Sequence, residues 1–190
     1  DASVHIIRKI THIGTNWVVT TIAGLAFNFD LIDGANSNAQ FNFPFGLAID
    51  PNTNIYVADF GNNAIRKMTP VGTNWVVTTL AGNKNPGSAD GTNSQARFNS
   101  PAAVALDKDG NLYVSDQFNN TIRKMTPVGT NWVVSTIGGV ALTPGANNGA
   151  GTNAQLKQLR PSGGGDCGCE QNTRNFGPRL GLAYRLGAKT

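Results

Sequence analysis

"TNWVVTTLAG" stands at residues 73–82, and nearly the same ten letters stand at 15–24 as "TNWVVTTIAG" and at 130–139 as "TNWVVSTIGG". A catalytic group is needed once per active site, whereas a phrase written three times serves something that is built three times, so the period is the first thing to read. The tryptophans Trp17, Trp75 and Trp132 lie 58 and then 57 residues apart, and the flanks follow them in register. "FNFPFGLAIDPNTNIYVADFGNNAIRKMTPVGTNWVVTTLAG" (41–82) matches "FNSPAAVALDKDGNLYVSDQFNNTIRKMTPVGTNWVVSTIGG" (98–139) at most positions. A partial copy precedes these two, running over residues 4–24. A failing one follows, where "NGAGTNAQL" (148–156) echoes "DGTNSQARF" (90–98) before the register is lost.

Within one copy, four short segments rich in β-branched and aromatic residues are separated by turn formers, which predicts four strands: Gly46–Ile49, Ile55–Ala58, Ala64–Met68 and Trp75–Leu80. "DPNTN" or "KDGN" closes the first hairpin, the latter through Asp109-Gly110, a pair that tolerates positive φ. "DFGNN" or "DQFNN" closes the second. "TPVGTN" closes the third, with Pro70 or Pro127 unable to extend a ladder and Gly72 or Gly129 free to turn. Strands joined in sequence order form an up-and-down antiparallel sheet, and such sheets stacked radially form a β-propeller.

These residues resemble the NHL repeat, whose copies form propeller blades. The likeness is carried by the Pro-x-Gly-x-Ala-x-Asp opening, the Asn-x-Tyr-Val-Ala-Asp strand and the Asn-Asn-x-Ile-Arg-Lys strand in the first full copy, and by the same order in the second. The second copy departs at Ala103, where the first has Gly46, and this puts one turn in question. The expected fold is all-β: an incomplete propeller over residues 1–156, with two complete four-stranded blades (41–82 and 98–139) and a half blade (4–24). Propellers close with 4 to 8 blades, so further blades or other copies of the chain are expected to complete the ring. The start "DASVHIIRKITHIG" has neither an initiator Met nor a signal-peptide layout, which favours a fragment of a longer protein.

Charge weighs against one class of partner for the repeats. The chain of 190 residues has a net charge of +4, but residues 1–156 hold nine Lys/Arg against nine Asp, and the excess lies wholly from Lys157 onward. The pairs Arg8-Lys9, Arg66-Lys67 and Arg123-Lys124 place one basic group on each face of their strand. Some NHL propellers bind RNA, and Arg66 and Arg123 are the candidates for that role. Without net charge to drive counterion release, nucleic acid is disfavoured, and the stems are expected to pack across blade faces and pair with Asp.

Recurrence also separates structural residues from functional ones. Asp59 and Asp116 recur ahead of Asn-Asn and are expected to accept backbone N–H bonds. Asp107-Lys108-Asp109-Gly110-Asn111 is similar in outline to a calcium loop, but the Gly is at the fourth position and the closing Glu is absent. The better binding candidates differ between copies: Phe60 becomes Gln117 on the second-hairpin loop, and Phe45 becomes Ala102. Loops on a rigid scaffold carry specificity. His5 and His12 are the only histidines, and neither belongs to a recognisable catalytic constellation. No catalytic residue, metal ligand set or cofactor is assigned.

The remainder reads differently. Residues 157–175 form a Gly-rich linker containing Cys167 and Cys169, and 176–190 alternate apolar with small or basic residues in a single strand-like tail. The tail resembles strand segments of TonB-dependent outer-membrane receptors, though a join of unrelated coding fragments explains it equally well. The expected function is a non-enzymatic binding or scaffold module in an exported bacterial protein, extracellular or in the cell envelope by family analogy, with a protein or carbohydrate ligand. Two alternatives stay open. One is a propeller enzyme of the metal-dependent lyase kind with catalytic groups in missing blades, and the other is an RNA-binding propeller. A membrane partner is expected only if the tail is a genuine barrel strand.

Overall fold

The computed structural model describes residues 1–156, so the linker, the two cysteines and the strand-like tail lie outside the described residues. Strands β1 (Ile7–Ile13) and β2 (Asn16–Ala23) form a two-stranded antiparallel hairpin, the outer half of a blade. The first complete blade follows: β3 (Gly34–Ala35), β4 (Pro44–Ile49), β5 (Ile55–Asp59), β6 (Ala64–Val71) and β7 (Asn74–Gly82). The second repeats it with β8 (Gly91–Thr92), β9 (Pro101–Leu106), β10 (Leu112–Asp116), β11 (Thr121–Val128) and β12 (Asn131–Gly138).

The four expected strands of each blade are present and pair in sequence order. Each sheet also gains a fifth strand, giving the orders β3-β7-β6-β5-β4 and β8-β12-β11-β10-β9. The extra strand comes from the connector ahead of the blade and pairs with the outermost strand at only two positions, Gly34 with Val77 and Ala35 with Val76 in the first copy. A strand of only two residues, one of them glycine, gives no strand signal, which is why the sequence shows four.

This return of the connector explains the repeated phrase. Asn36, just after β3, accepts a hydrogen bond from the Trp75 N–H at 2.8 Å and donates to the Asn74 side chain at 2.8 Å. Asn93 does the same for Trp132 and Asn131, at 2.7 and 2.8 Å. Thr-Asn-Trp is thus the point where each blade is fastened to its own connector, and it must be written once per blade.

Alternation along the strands sorts side chains into two interblade layers. Ile55 and Val57 point to one side, joining Met68 and Val77 against Ile7 and Ala23 of the half blade. Tyr56, Ala58 and Ile65 point to the other side and meet Leu112, Val114, Met125 and Val134 of the second blade. Trp132 closes that layer, with its ring 6.1 Å from Tyr56. The residue at 103 belongs to β9 and to no turn, so the departure there affects an inner strand. A Cβ at Gly46 would lie 2.6 Å from the Cα of Ala103, and only glycine lets the two inner strands approach so closely.

The first hairpins show one local conflict. Gly110 takes φ +83° in the Asp-Gly turn, as expected, but its counterpart Thr53 sits at φ 64°. A β-branched residue is strained there. Thr53→Gly is therefore expected to stabilise the chain by about 0.5–1 kcal/mol despite the added freedom of the unfolded chain, and chemical denaturation of the two proteins reads it directly. An unchanged or lower midpoint would contradict the strain.

Candidate functional site

The recurring charged residues assemble into one buried clamp per blade. Arg66 is fully buried, although the alternation of β6 makes its neighbour Lys67 only half-buried. Its Nη1 donates to the Asp59 carboxylate at 2.8 Å and to the Gln40 carbonyl at 2.9 Å, while Nη2 donates to the Ile32 carbonyl at 2.7 Å and to Asp33 at 2.8 Å. The guanidinium carbon lies 5.1 Å from the centre of the Phe41 ring. Arg123 repeats every contact with Asp116, Arg97, Ala89, Asp90 and Phe98. Asp59 also accepts from the Asn42 N–H at 2.7 Å and from the Asn62 side chain at 2.9 Å, and Asp116 from Asn99 and Asn119. The sequence placed these aspartates in their own hairpin. The structure shows them also reaching back to the lead-in of the inner strand.

Arg66 and Arg123 therefore lie where phosphates do not reach them in the folded blades, and their stems and charges do structural work. Burial pushes the Asp116 carboxyl up to about 6, against the pull of hydrogen bonds from Asn99 and Asn119 and of the Arg123 charge. Asp59 is raised for the same first cause. Asp107 is committed as well. Its carboxylate accepts from Asp109, Asn111 and the Tyr113 hydroxyl, which closes the hairpin. His5, at 7% exposure, accepts a hydrogen bond from the Phe43 N–H at 3.1 Å and packs between the rings of Phe29 and Phe43. Among the described residues no group of three or more His, Cys, Asp or Glu could hold a metal ion.

The aromatic differences between the copies, at 43, 45, 60 and 61, lie at one end, where β4 and β9 begin and β5 and β10 finish. Phe45 and Phe60 lie 4.6 Å apart between ring centres, and Phe60 and Phe118 lie 5.9 Å apart edge to face. Phe45, Phe43 and Phe118 are exposed, and Phe60 is half-buried between its neighbours. The backbone continues the row, since the Phe60 N–H donates to the Phe43 carbonyl at 3.3 Å. Gln117, paired with Phe60 by sequence position, is buried, and its N–H bonds to the Ser100 carbonyl. Phe60 meets Phe118 in space instead. The signal was the one-residue shift of Phe between "DFGNN" and "DQFNN", which position-by-position comparison hides.

Residues 41–68, which hold β4, β5 and the inward-facing start of β6, match the family model described as NHL repeat. The first complete copy thus carries an NHL repeat, and residues 98–139 resemble it at most positions. Over 97 residues the chain is 34% identical to the protein Suppressor of quenching 1, chloroplastic, of Arabidopsis thaliana, covering 51% of this chain and 9% of that one. It is 35% identical over 100 residues to NHL repeat-containing protein 2 of Bos taurus, covering 51% of this chain and 14% of that one. A probable peptidyl-alpha-hydroxyglycine alpha-amidating lyase of Caenorhabditis elegans is 33% identical over 81 residues, covering 43% of this chain and 21% of the lyase. Among solved structures, an auxiliary nutrient binding protein from Bacteroides ovatus superposes with a TM-score of 0.59 at 25% identity, covering 67% of this chain and 33% of that chain. The chain thus spans a small part of each of these curated relatives and a third of the solved structure.

The clamp gives a test with a worked sign. Arg123→Met leaves Asp116 buried without its cation and is expected to cost about 3–5 kcal/mol at neutral pH. A carboxyl whose folded pKa lies above its unfolded value gains stability as pH falls through the folded value, because the folded state then holds the extra proton. The unfolded carboxyl is common to both proteins, so the deficit should shrink as pH falls from the variant's folded value, which lies higher once Arg123 is gone, to about 6, where Asp116 of the wild type takes up its proton too. Denaturation at a series of pH values measures it, and a pH-independent deficit would contradict the assignment.

Proposed function

We propose that this NHL-repeat chain is a non-enzymatic binding module whose recognition surface is the loop-end row Phe43, Phe45, Phe60 and Phe118. The observation that carries the reading is the convergence of the Phe45, Phe60 and Phe118 rings at the end of the stack, at positions where the two blades differ, with Phe43 joined to them through its carbonyl. Rigid aromatic side chains supply contact area at low entropic cost. Phe60 and Phe118 stand on turns that follow the clamp aspartates, and Phe45 at the start of β4. Among the described residues, the recurring Asp59, Asp116, Arg66 and Arg123 are engaged in the clamps, and Asp50 and Asp107 in their hairpins.

The ligand class that suits the row is a carbohydrate, whose pyranose rings present a flat apolar face to an aromatic platform and hydroxyls to the polar loop backbone around it. The nutrient-binding description of the Bacteroides structure agrees with a ligand of this kind and with an exported or envelope setting. Titration calorimetry against a panel of oligosaccharides tests the proposal. At least one is expected to bind, with affinity falling tenfold or more in Phe45→Ala/Phe60→Ala and staying unchanged in Ser135→Ala on an exposed strand. Absence of binding across the panel, or binding indifferent to the two phenylalanines, would overturn it.

A further inference from the structure

The two flanks of the stack are each the counterpart of a face that is covered elsewhere in the same molecule. Met68 and Val77 are fully buried beneath the half blade, and Met125 and Val134 are buried to the same degree beneath the first blade. The same repeat positions on the β1–β2 hairpin are Ile10 and Val19, exposed at 62% and 51%, beside Trp17 at 70% in the position of Trp75 and Trp132. At the other flank, Tyr56 and Ile65 are covered by the second blade. Their counterparts Tyr113 and Ile122 are only half-buried, and Ile137, in the position of Leu80, is exposed. Both flanks are thus apolar faces of a contact that the molecule already makes twice internally.

The inner strands indicate which partner fits the second flank. β9 seats against β4 because residue 46 is glycine, with the Cα of Ala103 only 2.6 Å from where a Cβ would stand. On the open flank the equivalent position is Ala103 itself, which carries that Cβ. A complete blade bringing its own inner strand cannot repeat the same approach there without moving apart. A hairpin that brings only the two outer strands can, and among the described residues β1–β2 is such a hairpin.

We propose that a second copy of this chain docks head to tail, its Ile10, Trp17 and Val19 seated on Tyr113, Ile122 and Ile137 of the first. The contact reproduces that of Met125, Trp132 and Val134 with the face of Tyr56 and Ile65. It is heterologous, so it closes only if the rotation between copies permits. Each copy offers three blade positions, and two copies joined at both flanks offer six, inside the 4 to 8 of closed propellers.

Light scattering on the full 190-residue chain is expected to give about twice its 20.0 kDa. Trp17→Asp and Ile137→Asp should each reduce the mass to that of one chain while leaving circular dichroism unchanged, because both side chains are exposed at the flanks. Mixing the two variants should restore association, since each retains the face that the other has lost. A wild-type monomer, as when residues beyond 156 or other blades cover the flank, would overturn the proposal. So would an oligomer whose mass is indifferent to either substitution, or a mixture that stays monomeric.

Discussion

A guanidinium buried at the centre of each complete blade is the constraint on which the rest of the structure depends. Arg66 and Arg123 are fully excluded from solvent, and a charge in that setting is tolerable only when paired and hydrogen-bonded throughout. The pairing is nearly complete: four hydrogen bonds to each cation, two of them to carboxylates, with an aromatic face alongside. Only the Nε atoms of the two arginines have no hydrogen-bond partner. The partners come from the connector, the lead-in to the inner strand and the end of the second strand, so one side chain fixes three separate stretches of backbone. The net stability of such a pair against an apolar substitute is small. Its contribution is to hold connector and blade in one register.

From that register follows the division between what recurs and what varies. The connector, once held, lays Asn36 or Asn93 beside the outer strand and fastens Thr-Asn-Trp, which positions Trp75 and Trp132 for the interblade layers. The carboxylates of Asp59 and Asp116 pull the lead-in loops against the second hairpin, and this sets the platform on which Phe43, Phe45, Phe60 and Phe118 stand. Charges buried in the scaffold leave the loop end free to change its aromatic residues from blade to blade without cost to the fold. The flanks obey the same geometry, which is why the exposed face of the half blade can be read residue by residue from its covered counterparts.

Much of this was legible in the sequence because repetition acts as internal evidence. Three Trp at a nearly constant spacing gave the blades, and alternating β-branched runs bounded by Asp-Gly, Asn-Asn and Pro-x-Gly gave their strands. That Arg and Lys point to opposite faces was also readable, as was the pairing of the stems with Asp. What the sequence hid was long-range and small. The two-residue strands β3 and β8 have no compositional signature, and the partnership of Asn36 with Trp75 spans 39 residues. The glycine at 46 looks like a turn residue until the neighbouring blade is seen against it. Phe118 escaped notice because its ring meets Phe60 across blades, from a position one residue out of register.

Native-state hydrogen exchange tests the central claim most directly. If the arginine clamps and the connector fastening belong to the cooperative core, the amides of Asn42, Asn99, Trp75 and Trp132, all outside or at the ends of the strands, should exchange only as slowly as those of Val57 and Val114 within them. Exchange of these four amides at rates typical of open loops, while the central strands stay protected, would show that the connectors detach freely and would contradict the account.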